Sequence, residues 1–133
     1  MRVAEVGRKG LAVNEPIIIY RIQDREGRGP FKPGFSHKWV EDRPDHDNLL
    51  PWMVEMGNVH EQVKRGMACG VGCRSLETLR RWFTPSEWKT LQWFGYECVQ
   101  MSVTRILGES QTQVFFEREK PLRQMAFPVE LYA

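Results

Sequence analysis

The chain predicts an α+β fold, a single domain in which a mixed or antiparallel sheet is packed by three short helices. Three observations carry this. Between Gly66 and Gly95 two helix starts stand back to back, and on either side lie runs that read as strands, Ile17 to Ile22, Tyr96 to Val103 and Gln111 to Glu117. The third is scale: 133 residues, 41% hydrophobic and 27% charged, can bury one core without metal or disulfide support.

Residues 1–15 mix small, charged and glycine residues without a lasting period, so they predict a flexible lead-in with at most a short edge strand at Leu11 to Val13. The domain then spans 16–133. Pro16 opens the β-branched run Ile17-Ile18-Ile19-Tyr20-Arg21-Ile22, a central strand. From Asp24 to Gly34 three glycines and two prolines break either period, which predicts a loop. Residues 36–51 are polar and irregular. Trp52 to Arg65 regains a helical rhythm through Trp52, Met56, Val59 and Val63, with Gly57 interrupting it.

Gly70 and Gly72 predict a short strand that approaches another backbone closely. Ser75 is an N-cap, followed by Leu76, Leu79, Trp82 and Phe83 on one helical face. Thr84-Pro85-Ser86-Glu87 then combines a cap, a proline at the first helical position and a capping-box glutamate. Trp88 and Leu91 give that second helix its apolar face, and Gly95 suits the left-handed residue that ends it. In the next strand Val99, Met101 and Val103 alternate with Cys98, Gln100 and Ser102. Thr104 to Gly108 reads as a turn, and Phe127 to Leu131 as a last strand broken by Pro128. The expected core is Ile18, Tyr20, Leu76, Leu79, Trp82, Phe83, Leu91, Val99, Met101, Val114 and Phe116.

Composition narrows function more than it assigns it. Nineteen basic against seventeen acidic residues leave +2, too little to predict wholesale binding of nucleic acid or of an acidic membrane. Arg74, Arg80, Arg81 and Lys89 surround the helix corner, but Trp88, Leu91, Trp93 and Phe94 make the second helix too apolar for a recognition helix, so nucleic acid is a disfavoured partner. With no apolar run near twenty residues and no secretory pattern at Met1 to Glu5, the expectation is a soluble intracellular protein without membrane association. Three cysteines, an odd number, fit a reducing compartment.

Several residues invite chemistry. Arg25, Arg28 and Lys32 beside Phe31 and Phe35 suit an anion or a stacked ring, or simply a solvated connector. His37, Asp42, Asp45, His46 and Asp47 lack a ligand pattern, and Cys69 and Cys73 lack the paired knuckles of a zinc site, so small buried thiols and no metal are expected. Glu109-Ser110-Gln111-Thr112-Gln113 forms a polar head before Val114-Phe115-Phe116. Polar groups at a strand's start often sit on a sheet rim facing a cleft.

The order of a strand with Tyr20-Arg21, a glycine-rich loop, Gly72-Cys73-Arg74-Ser75-Leu76-Glu77 leading a helix, a strand at Tyr96 and a late Glu109-Ser110-x-x-Gln113-Val114-Phe115-Phe116 segment resembles small ADP-ribosyltransferase-like domains. It also resembles the small proteins encoded by phages and prophages. The first resemblance implies NAD as cofactor, held by Arg21 and Arg28 at its phosphates and by Phe31 or Trp39 stacked on a ring. Glu109 and Gln113 would address the ribose, with Glu109 supplying the carboxylate. Gln113 stands where that family places its catalytic Glu, and a glutamine cannot act as a base. ADP-ribose would pass to a host macromolecule in the bacterial cytoplasm. The alternative is a protein without chemistry that binds and inhibits a host defence or regulatory complex, an anti-CRISPR being one such; its abundant aromatic residues suit an interface with a host protein.

Overall fold

A computed structural model of the chain describes residues 11–32, 34–42, 49–51, 68–118 and 126–132. Among the described residues five strands form one antiparallel sheet: β1 (Leu11–Gln23), β2 (Cys69–Gly72), β3 (Glu97–Glu109), β4 (Val114–Glu117) and β5 (Ala126–Pro128), in the order β1-β3-β4-β2 with β5 on β3. Two α-helices lie among the described residues, α1 (Leu76–Trp82) and α2 (Pro85–Trp93), together with a 3-10 turn at Ser36–Lys38. The third helix expected, Trp52 to Arg65 with His60, lies outside the described residues, as do Asp45, His46 and Asp47.

The sheet is organised by β3. One edge of it pairs with β1 from Glu97 to Ile106, and the other carries β5 at Val99–Met101 and β4 at Ile106–Glu109. Beyond β4 the sheet curls until the end of β2 meets β1 again. There Tyr20 and Cys73 exchange two backbone hydrogen bonds, Tyr20 N–H to Cys73 O at 2.7 Å and Cys73 N–H to Tyr20 O at 2.8 Å. Gly72 makes that approach possible: a Cβ there would lie 2.7 Å from Ile19 Cδ1 and 2.9 Å from the Tyr20 carbonyl oxygen. The expected close approach of the glycine-bearing strand is thus realised.

Strand alternation divides the core in two. The inner face collects Ile19, Val99, Met101, Val103, Ile106, Val114 and Phe116, with Ile17 and Ala126 at its margin. Opposite it, Ile22, Cys73 and Cys98 meet Leu79, Phe83, Trp88, Leu91 and Leu131, with Tyr20, Leu76 and Trp82 half-buried beside them. Each fully buried side chain of this size contributes about 1.5–3 kcal/mol. One expected core residue is corrected: Ile18 is 39% exposed, because it shares the parity of Tyr20 and Ile22 but extends past the helices that cover them, while Ile19 is fully buried.

The helix signals act as read. Ser75 Oγ accepts from the Thr78 N–H, and Thr84 and Glu87 close a full capping box behind Pro85. Glu77 in the first turn and Arg80 and Arg81 in the last complement the α1 dipole. Glu87 has no exposed surface, and its second oxygen accepts from the Glu41 N–H at 2.8 Å, which pins the loop after the 3-10 turn to α2. Gly95 has φ +95° and ends the helix.

Strand limits depart from the sequence reading in four places. β1 begins at Leu11, with a register shift between Ala12 and Ile17 that accommodates Pro16, whose missing N–H would break a regular ladder. Thr104 to Gly108 is no turn. β3 runs through it, and Gly108 marks an irregularity in the pairing with β4. The polar head before β4 is a turn instead, in which Ser110 Oγ accepts from the Thr112 and Gln113 N–H groups. β5 covers Ala126–Pro128 only, and Leu131 serves the core.

Candidate functional site

Ile17, Ile19, Arg21 and Gln23 share one parity on β1, so the strand that supplies the inner apolar face ends in an arginine and a glutamine. Arg21 is 6% exposed and Gln23 1%. On β4 the same alternation carries Val114 and Phe116 inward and continues, just past the strand, to Arg118, also buried. The two guanidinium groups therefore meet at one end of the curl. Arg21 Nη1–H donates to Val71 O at 3.4 Å, and its Nε–H is buried without an acceptor. Arg118 donates to Gly27 O and to Gln23 Oε1, the latter at 3.3 Å. Burial, reinforced by the positive charge of Arg118 and opposed by Asp24, lowers the Arg21 pKa to about 9. Burial lowers that of Arg118 as well.

The loop from Asp24 to Pro30 borders this pair. Asp24 Oδ1 accepts from the Glu26 and Arg28 N–H groups, both at 2.9 Å, and Gly27 takes φ +87° within the turn. Arg28 itself points to solvent and pairs with Glu26 at 3.6 Å. Glu109, on the far end of β3, is held by two bonds from Arg74, 2.6 Å from Nε and 2.7 Å from Nη2. Gln113 is buried, and its Nε2–H donates to Leu50 O at 2.7 Å. The expected NAD-holding residues thus occupy different surroundings: Arg21 inside the curl, Arg28 in solvent, Glu109 bound to Arg74 and Gln113 anchoring residue 50.

Phe31 and Trp39 belong to a third neighbourhood. Trp39 is buried, donating its indole N–H to Pro30 O at 3.2 Å, and Phe31 lies on it edge to face, centroids 5.0 Å apart, while remaining 53% exposed. Phe31 also approaches Trp82 and Phe83. Four residues along the same loop, Phe35 packs on Phe94 at 5.1 Å and on Tyr96 at 5.6 Å, and Phe94 in turn touches Trp93. Lys32 sits over the Phe35 and Tyr96 rings. Trp93 is 81% exposed and Phe94 37%, so aromatic surface is open to solvent at the end of α2, as it is at Phe31.

Cys73 and Cys98 are buried thiols pushed up to about 12, by burial first in each case, and Cys69 is partly exposed. Among the described residues no three of His, Cys, Asp or Glu gather as metal ligands, and no helix is long and apolar enough to cross a membrane.

Sequence reasoning missed Arg118 and the exposure of Trp93. For Arg118 a signal was present, since two-residue alternation from Val114 and Phe116 lands on it. For Trp93 it lay in the helical period, which sets a residue two positions after Leu91 on the side of α2 away from the Trp88 and Leu91 face.

No curated protein and no solved structure matches the chain. A protein-family model, described as the bacteriophage T4 Y00F protein, matches residues 13–129. That span takes in all but the first two residues of β1, β2 to β5, both helices and the exposed aromatic residues, and the chain belongs to this phage protein family.

Proposed function

We propose that this phage protein works without chemistry of its own, in the cytoplasm of the bacterial host, by binding and inhibiting a host protein complex through the aromatic surface of Phe31, Phe94 and Trp93. The observation that carries this reading is Trp93: a tryptophan 81% exposed beside a partly exposed Phe94 keeps a large apolar area in water, a cost that burial in an interface removes. Lys32 and Lys89 supply a polar rim, as interfaces built on aromatic anchors have. The ADP-ribosyltransferase reading, with NAD at Arg21, Arg28, Phe31 and Trp39 and with Glu109 and Gln113 at the ribose, draws less support. Both oxygens of Glu109 are engaged by Arg74, and the Gln113 amide is engaged by a backbone carbonyl.

Affinity capture from host lysate, with the recovered protein then titrated in purified form, tests the proposal. Trp93→Ala should weaken the purified interaction at least tenfold, as loss of a central aromatic anchor does, at unchanged thermal stability. Phe127→Ala, exposed on β5, serves as the control and should leave binding intact. Equal affinity of Trp93→Ala and wild type would remove this surface from the mechanism. Saturable NAD binding by calorimetry, with label transfer to host protein abolished in Glu109→Gln, would establish the transferase instead.

A further inference from the structure

The aromatic residues open to solvent at the end of α2 adjoin lysines, and the sign of that charge selects what can cover them. Their contacts run in a line. Trp93 packs on Phe94 with centroids 5.0 Å apart, Phe94 packs on Phe35 at 5.1 Å, and Lys32 Nζ lies 5.2 Å from the centre of the Phe35 ring. Lys38 is exposed on the 3-10 turn that Phe35 opens, its N–H donating to Phe35 O at 2.9 Å. On α2, Lys89 stands one turn before Trp93 and is exposed on the same side of the helix. Three ammonium groups therefore adjoin one apolar centre.

The carboxylates of this region do not balance them. Asp24 pairs with Lys32 at 3.7 Å, but the same carboxylate also accepts from the Glu26 and Arg28 N–H groups. Lys38 and Lys89 enter no ion pair among the described residues. Glu87, the acidic residue of α2, is fully buried, with its oxygens bonded to the Thr84 and Glu41 amides. Glu41 accepts from the Thr84 and Ser86 hydroxyls at the start of α2, two turns or about 10 Å from Trp93, and Asp42 follows it. Glu97 follows Tyr96 but takes the inner parity of Val99 and Met101, away from these rings. An apolar centre with a positive rim is complementary to an apolar side chain set among carboxylates. A polynucleotide suits it less, since a charged backbone needs a continuous basic track, and Arg28 on the neighbouring loop is already paired with Glu26 at 3.6 Å.

We infer, on the reading that Trp93 anchors the interface, that the host segment seated there is acidic: it lays an apolar or aromatic side chain against Trp93 and Phe94 and brings aspartates or glutamates to Lys32, Lys38 and Lys89. Exposed ion pairs are weak singly, and three together amount to roughly a tenfold gain in affinity at low salt.

The test uses the full chain with ¹⁵N-labelled tryptophan indoles, the Trp93 signal being assigned from Trp93→Phe. Two peptides serve as probes, Glu-Asp-Glu-Leu-Trp-Glu-Asp-Glu and its uncharged counterpart Gln-Asn-Gln-Leu-Trp-Gln-Asn-Gln. In about 50 mM sodium chloride the acidic peptide should move the Trp93 signal and saturate it at roughly tenfold lower concentration than the amide peptide, and about 0.5 M salt should remove that advantage. Lys89→Glu, at an exposed helix position, should keep the thermal midpoint and cut the advantage by about threefold or more. An unmoved Trp93 signal, equal response to the two peptides, an advantage unchanged by salt or in Lys89→Glu, or tighter binding of single-stranded oligodeoxythymidylate than of the acidic peptide would overturn the inference. The purified host complex separates this from the interface itself. There Lys89→Glu should weaken binding about threefold, and the loss should shrink with salt. Binding lost in Trp93→Ala but indifferent to Lys89→Glu and to salt would keep the aromatic interface and overturn the acidic partner, whereas Trp93→Ala binding as tightly as wild type would overturn both.

Discussion

Replacing Gly72 by alanine tests what closes the curl. The added Cβ would lie 2.7 Å from Ile19 Cδ1 and 2.9 Å from the Tyr20 carbonyl oxygen. The first contact is with a side chain in a filled core, and the second is with backbone that cannot rotate away. Relief requires β1 and β2 to separate, which removes the two hydrogen bonds between Tyr20 and Cys73. Overpacking costs about 1–3 kcal/mol and each bond about 0.5–1.5 kcal/mol, against a gain of about 0.4–1 kcal/mol from stiffening the unfolded chain. The expected net loss is about 1–5 kcal/mol and centred near about 3 kcal/mol, a large share of the roughly 5–15 kcal/mol that holds a domain of this size. Urea unfolding followed by tryptophan fluorescence should show the midpoint falling by about 1–2 M with an unchanged slope. Native-state hydrogen exchange should show faster exchange at the Tyr20 and Cys73 amides. Gly34→Ala is the comparison: at φ +77° with nothing within 4 Å it meets backbone strain alone, worth about 1–2 kcal/mol. If Gly72→Ala costs no more than about 0.5 kcal/mol, or leaves those amides protected, the close-approach argument is wrong.

Two other perturbations have definite outcomes. Glu87→Ala strips the acceptors from the Thr84 and Glu41 amides at a fully buried position and should cost about 2–4 kcal/mol by chemical denaturation, more than an ordinary exposed cap. Burial raises the folded-state pKa of Cys73 and Cys98 from 9 to about 12, so the unfolded chain gives up these protons first. Their contribution is whole below pH 9 and is lost between pH 9 and 12, and Cys98→Ala should flatten that decline in a series of denaturation curves.

How much of this was legible in the sequence depends on how local the cause is. Ser75, Thr84, Glu87 and Gly95 act through hydrogen bonds or dihedrals within a few residues, and each does what its type and spacing imply. The alternation of Val99, Met101 and Val103 against Cys98, Gln100 and Ser102 was equally readable, because period two is a property of the strand alone. Ile18 and Ile19 were not separable. Both are β-branched and apolar, and only the reach of the helices decides which is covered. Gly108 was misread because a glycine marks a turn or an irregular pairing alike, and which it marks is set by β4. At the candidate site Arg21 was picked out, but its neighbour Arg118 comes from a strand whose pairing no local pattern specifies. Arg21, Arg28, Glu109 and Gln113 were grouped by order along the chain, whereas their surroundings are set by sheet parity and by the partners of Glu109 and Gln113.

The position of β3 between β1 on one edge and β4 and β5 on the other bears on how the protein comes into being on the ribosome. β1 is made first, but its ladder partner, Glu97–Glu109, follows only after all the chain beyond Gln23 has been translated up to that point. At roughly 5–20 residues per second the apolar run Ile17–Ile19 waits several seconds with its edges unpaired, and the sheet cannot assemble piecemeal behind it. Release of β3 from the exit tunnel is then the committing event. Nascent chains stalled before Glu97 should be protease-sensitive throughout β1, and chains stalled well beyond Glu117 should protect it.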